Sequence, residues 1–257
     1  MCLIVFALEA RADLPLVIAA NRDEYYTRPT APAAPWPDAP HVIAGRDLQA
    51  GGTWLGITTR GRWAAVTNFR EPQQQRRDAP SRGRLVADFL LGDLSPAEYL
   101  EAIRPRAHEY VGFNLLVGEL ASVRWFSNRG EGHPLNGAEL PPGVYGLSNH
   151  LLDTPWPKVV EGKRDLEEAL AAGAGPDELM QILLDRTLAA EADLPQTGVP
   201  RDLERALSAR FIAGVDYGTR CSTVIRVDRD GHVLLLERSF LPPDELELVR
   251  HEFELTA

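Results

Sequence analysis

Cys2-Leu3-Ile4-Val5-Phe6-Ala7-Leu8 and Leu14-Pro15-Leu16-Val17-Ile18-Ala19-Ala20 are two apolar runs parted by a short polar stretch. Their length and aliphatic content suit buried strands better than helices. Arg11, Ala12 and Asp13 lie in the connection, so the pair reads as a hairpin in the middle of a sheet. The second run breaks off into Asn21-Arg22-Asp23-Glu24. Four polar residues directly after a buried strand are unusual. If the strand continues, alternation puts Asn21 and Asp23 on one face and Arg22 and Glu24 on the other. A solvated turn is the plainer alternative.

Downstream, residues 29–40 carry five prolines. They read as a surface excursion, because proline cannot pair centrally in a sheet. Strands resume at His41–Ala44, Thr53–Thr58 and Trp63–Asn68, with turn signals at Gly51-Gly52 and Arg60-Gly61-Arg62. Arg84–Leu91 has helical apolar spacing. Ser95-Pro96-Ala97-Glu98 is a capping box that starts a helix expected to reach about Arg106. Strands follow at Gly112–Gly118, Val123–Ser127 and Gly143–Asn149. Lys158–Ala172, Pro176–Leu188 and Arg201–Ala209 read as helices. Cys221–Val227 and His232–Arg238 form a last hairpin across Asp230-Gly231. Strands adjacent in sequence look antiparallel, and helices come in pairs, so a doubly wound parallel sheet is disfavoured. The expectation is one domain spanning 1–257, a layered α/β architecture with a mixed or antiparallel sheet core.

Composition narrows the function. The chain has 257 residues, 44% hydrophobic and 25% charged, with 27 Lys plus Arg against 37 Asp plus Glu and a formal charge of −10. That balance argues against nucleic-acid binding, which needs clustered cations. No apolar run approaches the roughly 20 residues that span a bilayer. No signal-peptide pattern or disulfide framework is present, so a cytoplasmic setting is expected. The two cysteines form no CxxC pair, and the six histidines show no zinc-binding spacing. No metal site is expected. GxxxxGK[ST], GxGxxG and GxSxG are missing, which removes support for nucleotide-binding and α/β-hydrolase readings.

Cys2 is the first candidate for chemistry. Removal of Met1 would give it a free α-amine beside its thiol. That amine can act as base for its own side chain, the logic of N-terminal nucleophile enzymes. Position alone favours a plainer role, since free cysteine commonly packs as a small hydrophobe. Asn68 and Asn149 each stand at the end of an expected strand, where an amide side chain and a backbone N–H can build an oxyanion hole. Taken singly, either asparagine fits a turn equally well.

Together these stretches resemble the NRDE family, that of the transport and Golgi organisation protein. The match is carried by Met-Cys-Leu-Ile at 1–4, Asn-Arg-Asp-Glu at 21–24, Gly45-Arg46-Asp47, Gly51-Gly52-Thr53-Trp54-Leu55-Gly56, Thr67-Asn68-Phe69-Arg70, Ser81-Arg82-Gly83, Gly146-Leu147-Ser148-Asn149 and Tyr217-Gly218-Thr219-Arg220. The resemblance implies a four-layer αββα sandwich of the N-terminal nucleophile hydrolase type, more distantly similar to cysteine-type bile salt hydrolases and penicillin V acylases. By that similarity Cys2 is the nucleophile, with Arg22 and Asp23 beside it. Asn149 and the backbone amide at Asn68-Phe69 form the oxyanion hole, and Arg210 is a late active-site arginine. Asn21, Glu24, Arg70 and Arg220 are the implied ligand-binding residues. One departure is visible: the acylases space their Arg and Asp three positions apart, whereas Arg22 and Asp23 are adjacent. The resemblance also implies a small-molecule partner, either haem or an acyl ligand such as an acyl-CoA or lipid. A cysteine amidohydrolase is the alternative.

Overall fold

A computed structural model describes residues 2–74, 76, 78–120, 122–241 and 245–256. The opening hairpin is as expected but longer. β1 (Cys2–Arg11) pairs antiparallel with β2 (Leu14–Tyr25) in a register that sets Cys2 opposite Arg22, Ile4 opposite Ala20 and Leu8 opposite Leu16. The polar quartet therefore belongs to the strand.

β1 and β2 read as continuous apolar runs because both of their faces are covered. Ile4, Phe6, Leu8, Leu16 and Ile18 enter the core between two sheets. Leu3, Val5, Ala7, Val17 and Ala19 enter a second core under helices. The first sheet has the order β12-β11-β10-β2-β1-β9, built with β9 (Gly143–Leu147), β10 (Tyr217–Val227), β11 (His232–Leu241) and β12 (Glu245–Glu254). The second runs β3-β4-β5-β6-β7-β8, from β3 (Thr30–Trp36), β4 (Ala39–Asp47), β5 (Leu55–Thr58), β6 (Arg62–Asn68), β7 (Phe113–Glu119) and β8 (Ser122–Ser127). All pairings within both sheets are antiparallel.

Helices close the outer faces. α1 (Gly83–Leu91) and α2 (Pro96–Ile103) pack on the second sheet through Leu85, Val86, Phe89 and Leu100. The capping box at Ser95 and Glu98 is formed, with both reciprocal hydrogen bonds in place. α3 (Pro157–Ala171) and α4 (Pro176–Leu183) pack on the first sheet through Val159, Leu166, Leu170, Leu179 and Leu183. α5 (Arg201–Ala206) is a short helix near the site. The result is helix, sheet, sheet, helix: the four-layer α+β sandwich that the resemblance implies. No helix among the described residues is long and apolar enough to cross a membrane.

Three expectations are corrected. The proline-rich excursion contains the edge strand β3, and Pro32 and Pro35 are tolerated because an edge leaves half its N–H groups unpaired; register shifts occur at Ala31/Ala34 and Pro35/Trp36. β12 was not expected at all, because charges interrupt its apolar pattern; Val249 and Phe253 nevertheless pack against the inter-sheet core. The helices expected to reach Arg106, Leu188 and Ala209 stop at Ile103, Leu183 and Ala206, where irregular or 3-10 turns take over.

Candidate functional site

The site forms where β2 outruns β1. Residues paired directly across an antiparallel sheet share a face. Cys2 and Arg22 are such a pair, on the same face as Ile4 and Ala20, so both turn toward the space between the sheets. At this end of the sandwich that space opens as a cleft of ≈ 410 Å³. Cys2, Arg22, Asp23, Glu24, Asn68 and Arg82 are among its walls. A second cleft of ≈ 600 Å³ adjoins it, sharing Glu24, Asn68 and Arg82. Phe69, Arg70, Asn149, Leu203, Leu207 and Tyr217 line this second cleft, which is the more apolar of the two.

Arg22 is 5% exposed. Its guanidinium lies 4.2 Å from the centre of the Trp54 ring and donates to Thr30 Oγ1 at 3.1 Å. Trp54 can lie there because β4 has glycine beneath it: a Cβ on Gly45 would stand 2.3 Å from the indole. A second close approach fixes the opposite wall. A Cβ on Gly52 would fall 2.4 Å from the Gly83 carbonyl carbon, so the Gly51-Gly52 segment lies against the start of α1. That contact brings Arg82 to the cleft, where it donates to the Gly112 carbonyl at 3.1 Å.

Burial pushes the Cys2 thiol up, and the nearby Arg22 charge pulls the other way. Burial also raises the Asp23 carboxyl. Asp23 is 3% exposed and accepts from Thr219 Oγ1 at 2.7 Å, while its backbone carbonyl accepts from the Tyr217 hydroxyl at 3.0 Å. Glu24 accepts from the Tyr25 N–H at 2.9 Å.

The asparagines close the far side. Asn149 Nδ2 donates to the Asn68 carbonyl at 2.8 Å, and the Asn149 carbonyl accepts from the Arg70 N–H at 2.8 Å. Thr67 Oγ1 donates to the Ser148 carbonyl at 2.6 Å, and Ser148 Oγ to the Cys2 carbonyl at 3.0 Å. The ends of β1, β6 and β9 are thus tied into one unit around Cys2. The Asn68 side chain lines both clefts and makes no hydrogen bond among the described residues.

Four expected assignments need correction. The Phe69 N–H does not serve an oxyanion, because it donates to the Gly112 carbonyl at 2.9 Å. Asn21 is on the opposite face of β2 from Arg22. Its Nδ2 donates to the carbonyls of Leu183 at 2.8 Å and Arg210 at 2.7 Å, and its Oδ1 accepts from Ser222 Oγ at 2.6 Å. Arg210 points toward the helical layer and pairs with Asp165 at 2.7 Å and Asp185 at 2.6 Å. Arg220 donates to the carbonyls of Tyr25, Tyr26 and Arg28 within 3.0 Å, holding the chain as it leaves β2. None of Asn21, Arg210 and Arg220 lines either cleft. Arg70 lines the apolar cleft while forming a buried ion pair with Glu204.

Sequence reading missed Lys158. It is 3% exposed, donates to the Leu207 carbonyl at 3.1 Å and feels the charges of Asp23 and Cys2. Burial pushes its ammonium down to about 8. A signal existed: Lys158 precedes Gly162 and Leu166 at four-residue steps, which puts a cation on the buried stripe of α3. Met1, whose removal would free the Cys2 amine, lies outside the described residues.

The sequence pattern of the Transport and Golgi organisation 2 family matches residues 1–242. A Transport and Golgi organization protein 2 homolog from Bos taurus is 41% identical, covering 99% of both chains. The Homo sapiens homolog is 37% identical over 100% of this chain and 99% of its own. The Drosophila melanogaster protein of that name is 29% identical over 93% and 92%. Among solved structures, a conjugated bile acid hydrolase from Clostridium perfringens superposes at TM-score 0.47 and 9% identity, covering 100% of this chain and 97% of its own. A Caenorhabditis elegans N-acylethanolamine-hydrolyzing acid amidase ortholog superposes at TM-score 0.49 and 13% identity, covering 87% and 92%. This chain belongs to the Transport and Golgi organisation 2 family.

Proposed function

Taking that membership as the premise, we propose that this protein handles a small acyl-bearing ligand in the paired clefts. One observation carries the reading. A polar cleft with a half-buried thiol on its wall runs past Asn68 into a larger apolar cleft. Ligand sites are typically concave, largely apolar and furnished with a few placed polar groups. Phe69, Leu203 and Leu207 supply the apolar surface for an acyl chain. Cys2, Arg22 and Asn68 supply the polar end.

Haem is the alternative cargo. Its iron takes His, Cys, Met or Tyr as axial ligands. The described lining residues offer Cys2, Tyr25 and Tyr217 and contain no histidine. Of these, Tyr217 already donates to the Asp23 carbonyl. The acyl reading therefore has the stronger support.

A second reading, hydrolysis, is favoured by one specific feature: the Cys2 thiol faces a cation across the strand pair and opens on the cleft. In that reaction, which requires prior removal of Met1, the sulfur attacks an amide carbonyl carbon after giving its proton to the freed α-amine of Cys2. The Asn68 side-chain amide on the same cleft wall, and the N–H of Asn149 Nδ2 that is not donating to the Asn68 carbonyl, are the candidates to hold the oxyanion. The C–N bond breaks, the leaving amine takes the proton, and a thioester forms. Water then cleaves the thioester, releasing the acid and restoring the thiol.

Equilibrium binding of a fluorescent fatty acyl probe and a Soret titration, each on wild type and Cys2→Ala, test these readings. Ligand handling predicts saturable acyl-probe binding retained in Cys2→Ala, and no Soret shift at micromolar haem. Absence of acyl-probe binding contradicts it. Release of acid from an acyl amide, lost in Cys2→Ala, would establish hydrolysis.

A further inference from the structure

The polar cleft holds more positive charge than its own carboxylates neutralise. Arg28 is paired with Asp47 at 2.7 Å and lies 3.8 Å from Glu24, which closes that group upon itself. Arg76 reaches Asp78 at 3.7 Å. Arg22 and Arg82 have no carboxylate within 4.0 Å among the described residues. Asp23 and Glu237 are close enough to influence Arg22 but form no ion pair with it. A guanidinium buried to this degree without a counter-ion is costly, and one hydroxyl and one aromatic face are thin compensation. Arg82, on the same cleft, donates to one carbonyl, and Glu24 and Glu71 act on its charge without forming an ion pair with it.

We infer that Arg22 and Arg82 form an anion subsite, so that the ligand is an amphipathic anion. Its carboxylate or phosphate lies between the two guanidiniums beside Cys2. Its apolar arm runs past Asn68 into the cleft of Phe69, Leu203 and Leu207. Guanidinium suits both head groups, because its fork matches their oxygen geometry bidentately. Of the two arginines, Arg22 lines the polar cleft alone, Arg82 stands where the clefts join, and the adjoining cleft adds the apolar surface of Phe69, Leu203 and Leu207. This inference rests on the ligand-handling reading and adds to it the charge and direction of the ligand.

The test is calorimetric binding, below micelle-forming concentrations, of dodecanoate, dodecyl phosphate, dodecanol and dodecyltrimethylammonium to the full chain. The two anions are expected to bind at least about tenfold more tightly than dodecanol, with the ammonium weakest. Whichever anion binds more tightly identifies the head group. Arg82→Met is expected to erase the anion preference while dodecanol binding persists, which also reports that the variant is folded. Arg82→Lys should keep part of the preference, and Leu203→Glu should weaken dodecanoate, dodecyl phosphate and dodecanol together. Equal affinity for all four amphiphiles, or an anion preference unchanged in Arg82→Met, overturns the subsite while leaving ligand handling intact. No binding of any amphiphile overturns the ligand-handling reading and the subsite together.

Discussion

Cys2 and Arg22 are Cα partners across β1 and β2, and both side chains turn into the space between the sheets. A strand pair in the most protected part of the sheet thus ends by placing a thiol beside a buried cation. The pairing is a consequence of register: a one-residue slip of either strand would put Cys2 and Arg22 on opposite faces of the sheet.

That pairing makes the two thiols unequal. Cys221 is 3% exposed, and burial holds its thiol well above the ordinary range, whereas Cys2 lies on the cleft wall. Iodoacetamide at pH 8 should modify Cys2 alone in the folded protein. Arg22→Met should slow that modification by about threefold, because a neighbouring cation favours the thiolate. Peptide mapping by mass spectrometry reads both outcomes.

The buried ion pair of Arg70 with Glu204 should behave asymmetrically. Glu204 also accepts from the Thr197 N–H at 2.8 Å, and the Arg70 guanidinium lies 4.6 Å from the Trp156 ring centre. Removing one charge strands the other, so Arg70→Met should cost about 3–5 kcal/mol in urea unfolding. Arg70→Met with Glu204→Leu should recover much of that loss.

Lys158 gives a pH signature. Burial lowers its folded value to about 8, below the roughly 10.4 of an unfolded lysine. Between these values the unfolded chain binds more protons, so this group makes stability rise with pH across that window. Below pH 8 the penalty of the buried ammonium is fully present. The stability difference between wild type and Lys158→Met, followed by urea unfolding from pH 7 to 10, should therefore move in favour of wild type by about 3 kcal/mol as pH rises.

Asn21 separates structure from site. Its amide joins β2 to the end of α4, to the chain at Arg210 and to β10, and all of these bonds are buried. Asn21→Ala should lower stability by about 2–4 kcal/mol. The rate of Cys2 alkylation in the remaining folded protein should stay unchanged, which the same mass-spectrometric assay measures.

Much of this arrangement is legible in the residues. The continuous apolar runs at 2–8 and 14–20 announce a strand pair covered on both faces. The alternation sets Asn21 on the face opposite Arg22, as found, while Asp23 joins Arg22 and Glu24 on the cleft wall at the end of the strand. What is hidden depends on partners distant in sequence. Arg210 reads as a site residue until Asp165 and Asp185 meet it. The Phe69 N–H reads as a free donor until Gly112 arrives opposite. β12 carries alternating charge because it is an edge, where charge discourages pairing with other chains. Lys158 is legible only once its helix face is known to be buried.

An acyl ligand that occupies the space in front of Cys2 shields its thiol. The decisive measurement is the rate of Cys2 alkylation by iodoacetamide with and without saturating dodecanoate, with occupancy confirmed by calorimetry in the same buffer. The account predicts that bound dodecanoate slows alkylation by about tenfold. An unchanged rate at full occupancy would place the ligand elsewhere and contradict it.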